Sequence, residues 1–194
     1  MSVSLSKGQK VSLSKDGASL TRIFMGLGWD VAKKGGLLGG LFGGAPENID
    51  LDASCLVFDE SGKLVDEIWF RQLKGMNGTI IHTGDNLTGA GDGDDETIKV
   101  DLSKLPASVR ALVFTVNSFR GQTFDKVANA YCRVVDEGTG KELAKFSLGE
   151  SGGHTGLVMA KIYRHNGEWK IHAIGEKTIG RTFHDMMPAI QAAL

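Results

Sequence analysis

The sequence predicts a mainly β protein: a β-sandwich of two packed sheets with one or two short helices, one of them C-terminal. Three observations say so. The 194 residues include 27 glycines and only three prolines, a composition of many tight turns. Apolar and polar residues alternate with a period of two in several short stretches, which puts one face on a core and one in water. One hairpin is explicit: Leu157 to Arg164 and Trp169 to Ile174 flank His165-Asn166-Gly167-Glu168. Asn-Gly accepts the positive φ angles of a type I′ turn with little strain.

In chain order, Val11-Ser12-Leu13-Ser14 alternates, and Leu20 to Trp29 follows as a strand. Further strands are expected at Ile49 to Ala53, Ile68 to Leu73, Thr79 to His82, Ile98 to Leu102, Ala111 to Val116 and Lys145 to Leu148. Phe124 to Asn129 reads as a short helix and Phe183 to Leu194 as a C-terminal one. Thr182 would cap the latter, with Asp185 three residues on, and Pro188 would kink it. Two weak repeats fit a sheet protein. Ser2 to Lys7 is echoed by Lys10 to Lys15, which suits two neighbouring strands. Cys55 to Lys63 resembles Cys132 to Lys141, each reading as a strand that runs into an acidic, Gly-containing turn. A duplicated sheet-forming half or common strand-turn chemistry explains the second repeat equally.

The length suits one domain with a real core, or two small halves sharing one, and a single domain over residues 1–194 is expected. With 23 acidic residues against 22 Lys and Arg the net charge is −1, so the basic surplus of a dedicated nucleic-acid binder is missing. The apolar run near Leu37 to Phe42 is too short and too Gly-broken to span a bilayer. Met1-Ser2-Val3 does not open a charged and then apolar leader, so a cytoplasmic protein is expected. Two cysteines, Cys55 and Cys132, are too few for a disulfide scaffold or a Cys-rich zinc site.

The informative segment is Gly84-Asp85-Asn86-Leu87-Thr88-Gly89-Ala90-Gly91-Asp92-Gly93-Asp94-Asp95-Glu96. Its five carboxylates have no Lys or Arg between Lys74 and Lys99 to neutralise them, and an uncompensated cluster repels itself when folded. The loop lies between two strand signals, so folding brings these charges together. A hard divalent cation is the natural remedy, since calcium takes roughly 6–8 oxygen ligands. The alternative is a solvated acidic turn. The spacing is not that of an EF-hand: counting from Asp92, the sixth residue is Thr97 and the twelfth is Ser103. No His or Cys lies in the loop, which disfavours zinc. In Ile49-Asp50-Leu51-Asp52-Ala53 strand alternation places both aspartates on one face, a second acidic pair. Asp30, at the end of Leu27-Gly28-Trp29-Asp30, joins them or is a strand-end turn residue. Seven or eight carboxylates exceed what one calcium takes, so two ions are expected.

These segments carry a family resemblance. Gly26-Leu27-Gly28-Trp29-Asp30, Ile49-Asp50-Leu51-Asp52-Ala53-Ser54, the Gly84–Glu96 loop and Tyr163-Arg164-His165-Asn166-Gly167-Glu168-Trp169-Lys170 resemble the TerD-type tellurium (tellurite) resistance family. Ser4-Leu5-Ser6-Lys7-Gly8 and Asn117-Ser118-Phe119 fit as well. Phe70-Arg71-Gln72-Leu73 and the Gly-rich segment before Asp50 most resemble its TerZ branch. The similarity covers essentially the whole chain. One departure is Gly35 to Ala45, longer than the usual family link between Trp-Asp and Asp-Leu-Asp. The resemblance implies a calcium-binding β-sandwich with no known enzymatic activity, encoded with other tellurite and stress-resistance proteins. It carries metal ligation onto Asp50, Asp52, Asp85, Asn86, Asp92, Asp94, Asp95 and Glu96, and onto Asp30 and Thr88.

Enzyme signals are few. Gly149-Glu150-Ser151-Gly152-Gly153 matches a Gly-x-Ser-x-Gly nucleophile elbow, but that motif needs a helix after it, and Gly156 to Tyr163 reads as a hairpin arm. Cys55 and Cys132 lie in apolar strand-like segments, where a free cysteine is usually a buried small hydrophobe. Gly35 to Gly44 holds Leu37, Leu38, Leu41 and Phe42, which either fold back onto the domain or form an apolar contact surface. The expected function is that of a non-enzymatic calcium-binding stress protein working in a complex with other tellurium-resistance proteins. The alternatives are a calcium-triggered membrane-binding module with a membrane-associated partner, and a thiol-dependent tellurite-handling enzyme.

Overall fold

Alternation along the chain sorts the side chains between two facing sheets. The computed structural model describes residues 3–15, 18–31, 50–84, 93–147 and 152–194. In chain order the strands are β1 (Val3–Ser4), β2 (Lys10–Ser12), β3 (Ser14–Lys15), β4 (Ala18–Ser19), β5 (Arg22–Val31), β6 (Leu51–Asp59), β7 (Leu64–Ile68) and β8 (Lys74–Gly75). They continue as β9 (Ile80–His82), β10 (Glu96–Asp101), β11 (Val109–Ser118), β12 (Val127–Asp136), β13 (Lys141–Ser147), β14 (Gly156–His165) and β15 (Glu168–Thr178), before helix α1 (Met187–Ala192). One sheet has the order β1-β13-β12-β5-β10-β9-β8 and the other β2-β15-β14-β11-β6-β7. Neighbours run antiparallel except β1, which adds parallel to β13.

The inner faces meet in one core. Ile23, Met25, Leu27 and Trp29 of β5 and Ile98 and Val100 of β10 join Leu51, Ala53, Cys55 and Val57 of β6 and Leu112, Phe114 and Val116 of β11. A second cluster covers the opposite face of the second sheet, where Leu56, Phe58, Ala111, Val113 and Val158 pack against Phe183, Met186 and Ile190. Burial on both faces explains the unbroken apolar run Leu56-Val57-Phe58 in β6. Lys161 Nζ ties down the covering segment, donating to the carbonyl oxygens of Ala193 and Leu194 at 2.6 Å each.

The predicted hairpin forms as expected. β14 and β15 pair from His165–Glu168 outward, and Asn166 and Gly167 take φ of 52° and 80°. Other expectations need correction. Ile68 to Leu73 is no strand: β7 ends at Ile68, and Trp69 and Gln72 exchange backbone bonds across a tight turn. Phe124 to Asn129 is a single 3-10 turn, Phe124–Lys126, followed directly by β12. The terminal helix starts only at Met187, so Pro188 lies in its first turn, where a missing N–H costs nothing, and does not kink it. Asp185 does the local capping instead, accepting the N–H groups of Arg181 and Thr182. The Ser2–Lys7 and Lys10–Lys15 echo does not give neighbouring strands, since β1 joins one sheet and β2 the other. The Cys55 and Cys132 segments do correspond. β6 and β12 lie in opposite sheets, and each ends in an aspartate that accepts the backbone N–H two residues on, Asp59 from Ser61 at 2.9 Å and Asp136 from Gly138 at 3.0 Å.

Candidate metal centre

Ile23, Met25, Leu27 and Trp29 point into the core, so Gly26, Gly28 and Asp30 lie on the outer face of β5. The two glycines leave a bare backbone on which other groups lie flat. A Cβ on Gly26 would sit 2.2 Å from Asp94 Oδ2, and one on Gly28 would sit 2.5 Å from Tyr131 Cζ. The C-terminal end of the acidic loop therefore rests on the β5 glycines.

Asp94 is clamped there. Arg133 Nε and Nη2 reach its two carboxylate oxygens at 2.8 and 2.9 Å, a fork-on-fork pair, and the Tyr131 hydroxyl lies 3.2 Å from Oδ1. The same hydroxyl donates to the Gly93 carbonyl at 2.7 Å. Burial, followed by the Asp94 charge, pushes the Tyr131 phenol up to about 12, so it stays a donor. Asp95 extends the β10 ladder onto β5 through its own N–H, bonded to the Leu27 carbonyl at 2.8 Å. Its Oδ2 accepts the Trp29 N–H at 2.8 Å. Burial pushes the Asp95 carboxyl up; the Trp29 bond pulls it back, and the charges of Asp30 and Asp94 add to the rise. Asp30 Oδ2 accepts from Asn129 Nδ2 at 2.8 Å. Asn129 reaches it because a bulge in β12, with Asn129 at φ 51°, re-aims its side chain.

The remaining predicted ligands fall elsewhere. Glu96 points inward with Ile98 and Val100, and its Oε2 accepts the Ala53 N–H at 2.6 Å. β7 stops opposite Cys55, and beyond that point this carboxylate takes a backbone N–H of β6. His82 Nε2 lies 3.3 Å from the same oxygen with both side chains out of water, while the Gly84 N–H donates to His82 Nδ1. An accepting Nδ1 places the imidazole proton on Nε2, facing Glu96. Asp50 and Asp52 do sit opposite Leu51 and Ala53 across the strand, as alternation requires. Asp52 Oδ2 receives Asn117 Nδ2 at 3.2 Å, and Asp50 Oδ2 receives Arg120 Nε at 3.3 Å. Asp85, Asn86, Thr88 and Asp92 lie outside the described residues, as do Ser151 and the whole of Gly35 to Gly44.

The ten residues singled out thus divide. Asp30, Asp94 and Asp95 gather outside β5, Asp50 and Asp52 lie on the second sheet, and Glu96 lies between the sheets. Among the described residues no three His, Cys, Asp or Glu groups converge tightly enough to hold an ion by themselves. Sequence reading missed Arg133, Tyr131, Asn129, Arg120, Asn117 and His82, the groups that hold these acids.

Fold and site can be set beside known proteins. A family model, the TerD domain, matches residues 1–187. The chain belongs to the TerD domain family. Tellurium resistance protein TerZ of Serratia marcescens is 57% identical over 192 residues, covering 99% of this chain and 98% of its own. Stress response protein SCP2 of Bacillus subtilis (strain 168) is 44% identical, covering 96% and 98%. The family is accordingly one of tellurium-resistance and stress-response proteins. Among solved structures, a homologue of telluride resistance protein (TerD) from Streptomyces coelicolor A3(2) superposes with a TM-score of 0.69 at 22% identity, covering 87% of this chain and 97% of its own. That likeness establishes the two-sheet TerD fold.

Proposed function

We propose that this chain is a non-enzymatic, calcium-binding stress-response protein of the tellurite-resistance group, acting in a complex with other tellurium-resistance proteins. The observation that carries the calcium reading is the gathering of Asp30, Asp94 and Asp95 on the outer side of β5, where burial and the charges of Asp30 and Asp94 push the Asp95 carboxyl up. A divalent cation relieves that repulsion. The donors gathered there are oxygen-only, which fits a hard cation and not a soft one. Asp30, Asp94 and Asp95 would hold it together with Asp85, Asn86, Thr88 and Asp92 of the adjoining loop. Its contribution there is charge neutralisation and ordering. For Asp94 to ligate, Arg133 must release one of its oxygens. A second ion at Asp50 and Asp52 has less support, because it would have to displace Arg120.

The thiol-enzyme reading loses ground on burial. Cys55 and Cys132 are 0% and 1% exposed, and burial pushes the Cys132 thiol up to about 12 and that of Cys55 higher still. Gly152 and Gly153 lead into the strand β14, not into the helix a nucleophile elbow needs. No helix among the described residues is long and apolar enough to cross a membrane.

The test is calcium titration by calorimetry on the full chain, beside Asp30→Asn plus Asp95→Asn. Binding in the parent, with magnesium a poor substitute and the double variant at least about tenfold weaker, is the expected result. Zero stoichiometry, or parent-like binding by the double variant, removes the calcium reading. Pull-downs from extract with calcium or chelator test the complex.

A further inference from the structure

β15 ends at Thr178, and the chain beyond it crosses the loop that follows β11. Between the two segments opens a cleft of about 460 Å³, lined by Arg120, Thr155, Ile179, Arg181 and Asp185 among others. This volume is in the range of small-molecule sites, roughly 300–1,000 Å³. The two arginines come from different segments and line the same cleft. Arg181 packs over Gly121, at φ +78°, where a Cβ would lie 3.6 Å from Arg181 Nε.

The polar groups around the cleft differ in how far they are already committed. Thr155 Oγ1 and Gly180 satisfy one another, each donating once at 2.9 Å. Asp185 Oδ2 is engaged by the N–H groups of Arg181 and Thr182. The described bonds of Arg181 are made by its backbone, whose carbonyl accepts Asn117 Nδ2 at 2.7 Å. Among the described residues Arg120 gives only Nε, at 3.3 Å, to Asp50, and its side chain is 54% exposed. Two arginines therefore line one cleft, and among the described residues most of their guanidinium donors are unspent.

We propose that this cleft is an oxyanion-binding site, with Arg120 and Arg181 as its two clamps. Each guanidinium offers paired N–H groups in a rigid plane, so two of them match a centre bearing three or four oxygens. A carboxylate, with two oxygens, fills only one. Phosphate groups and tellurite both meet the requirement. Ile179, 76% exposed at the cleft, offers an apolar surface to the organic part of a phosphorylated small molecule. Because Arg120 is shared with Asp50, removing that aspartate's charge releases its donors to the cleft. The site does not rest on the calcium reading.

The experiment is calorimetric titration of the full chain with sodium phosphate, sodium tellurite and sodium acetate, all in chelator. Saturable one-to-one binding of phosphate or tellurite is expected, with acetate much weaker. Arg181→Gln and Arg120→Gln should each weaken it about tenfold or more, the size of a lost charge-assisted hydrogen bond. Arg181→Lys, which keeps the charge but not the fork, should fall between. Asp50→Asn should bind several-fold more tightly. Melting curves check folding, and if Arg120→Gln fails to fold, the two Arg181 variants carry the test. The preferred anion identifies the source, phosphate ester or tellurite. Absence of saturable binding, equal binding of acetate, or parent affinity in Arg181→Gln overturns the assignment. An unchanged affinity in Asp50→Asn overturns the part given to Arg120.

Discussion

Gly26 and Asp94 share one space: a methyl group on the glycine would fall 2.2 Å from the aspartate's Oδ2 and 2.3 Å from its Cγ. The missing side chain in β5 is what lets the acidic loop end against the sheet, where Arg133 can reach it. On backbone entropy alone, Gly→Ala in a strand is favourable by roughly 0.5–1 kcal/mol. Here overpacking, typically about 1–3 kcal/mol, works against it. Gly26→Ala should therefore lower the melting temperature, and Gly28→Ala should do so through Tyr131. A rise in melting temperature for both would show that the loop end does not rest there.

The Arg133–Asp94 pair should be a coupled unit. Its carboxylate is 8% exposed and the guanidinium 30%, so truncating one partner strands the other in a partly dry setting. Arg133→Gln should cost about 1–3 kcal/mol. In a double-mutant cycle with Asp94→Asn, measured by urea unfolding, the second change should cost far less once the first is made. Strict additivity would mean the fork contributes nothing beyond its separate contacts.

Cys55 and Cys132 should be inert in the native protein. Thiolate is the reactive form, and burial raises the Cys132 thiol to about 12 and Cys55 above that. An aromatic disulfide reagent at pH 8 should label neither until denaturant is added, and then both. Cells carrying Cys55→Ser with Cys132→Ser should keep tellurite resistance at equal protein abundance. Rapid native labelling, or resistance lost at normal abundance, would restore thiol chemistry.

His172 gives the fold an acid sensitivity. Burial lowers its imidazole, as do Lys10 and Lys161, its cross-strand neighbours on either side. Its Nδ1 is buried and has no hydrogen-bond partner among the described residues. A base with a depressed folded pKa binds fewer protons folded than unfolded, so its contribution is complete above the unfolded value near 6.5 and is lost as pH falls through the lowered one. His172→Gln should flatten the stability profile below pH 6.5 and leave it unchanged above. Parallel profiles for parent and variant would locate the sensitivity elsewhere.

The strand framework was legible because it rests on local pattern. Asn166-Gly167 specifies its own turn, and alternation around Asp50 and Asp52 places both on the face opposite Leu51 and Ala53. Ile68 to Leu73 misled because a two-residue corner at Phe70-Arg71 leaves the flanking apolar residues looking like a strand. The acidic residues were visible as a loop composition, but their partners were not. Arg133 lies 39 residues from Asp94, and Asn129 lies 99 from Asp30. Nothing in the local sequence of either partner announces the pairing; strand order alone creates it. Glu96 reads like its acidic neighbours, yet strand parity turns it inward to the edge of β6, where it takes a backbone N–H.

Residues 3–12 run as a strap across both sheets. β1 lies along β13, Leu5 donates to the Lys145 carbonyl, and β2 then lies along β15. The same short stretch pairs along one side of each sheet, on β13 in one and on β15 in the other. Unshielded, β13 and β15 would both offer rows of backbone donors and acceptors to other copies of the protein. Trimming the amino terminus should therefore show first as self-association and poor solubility, before any loss of ligand binding.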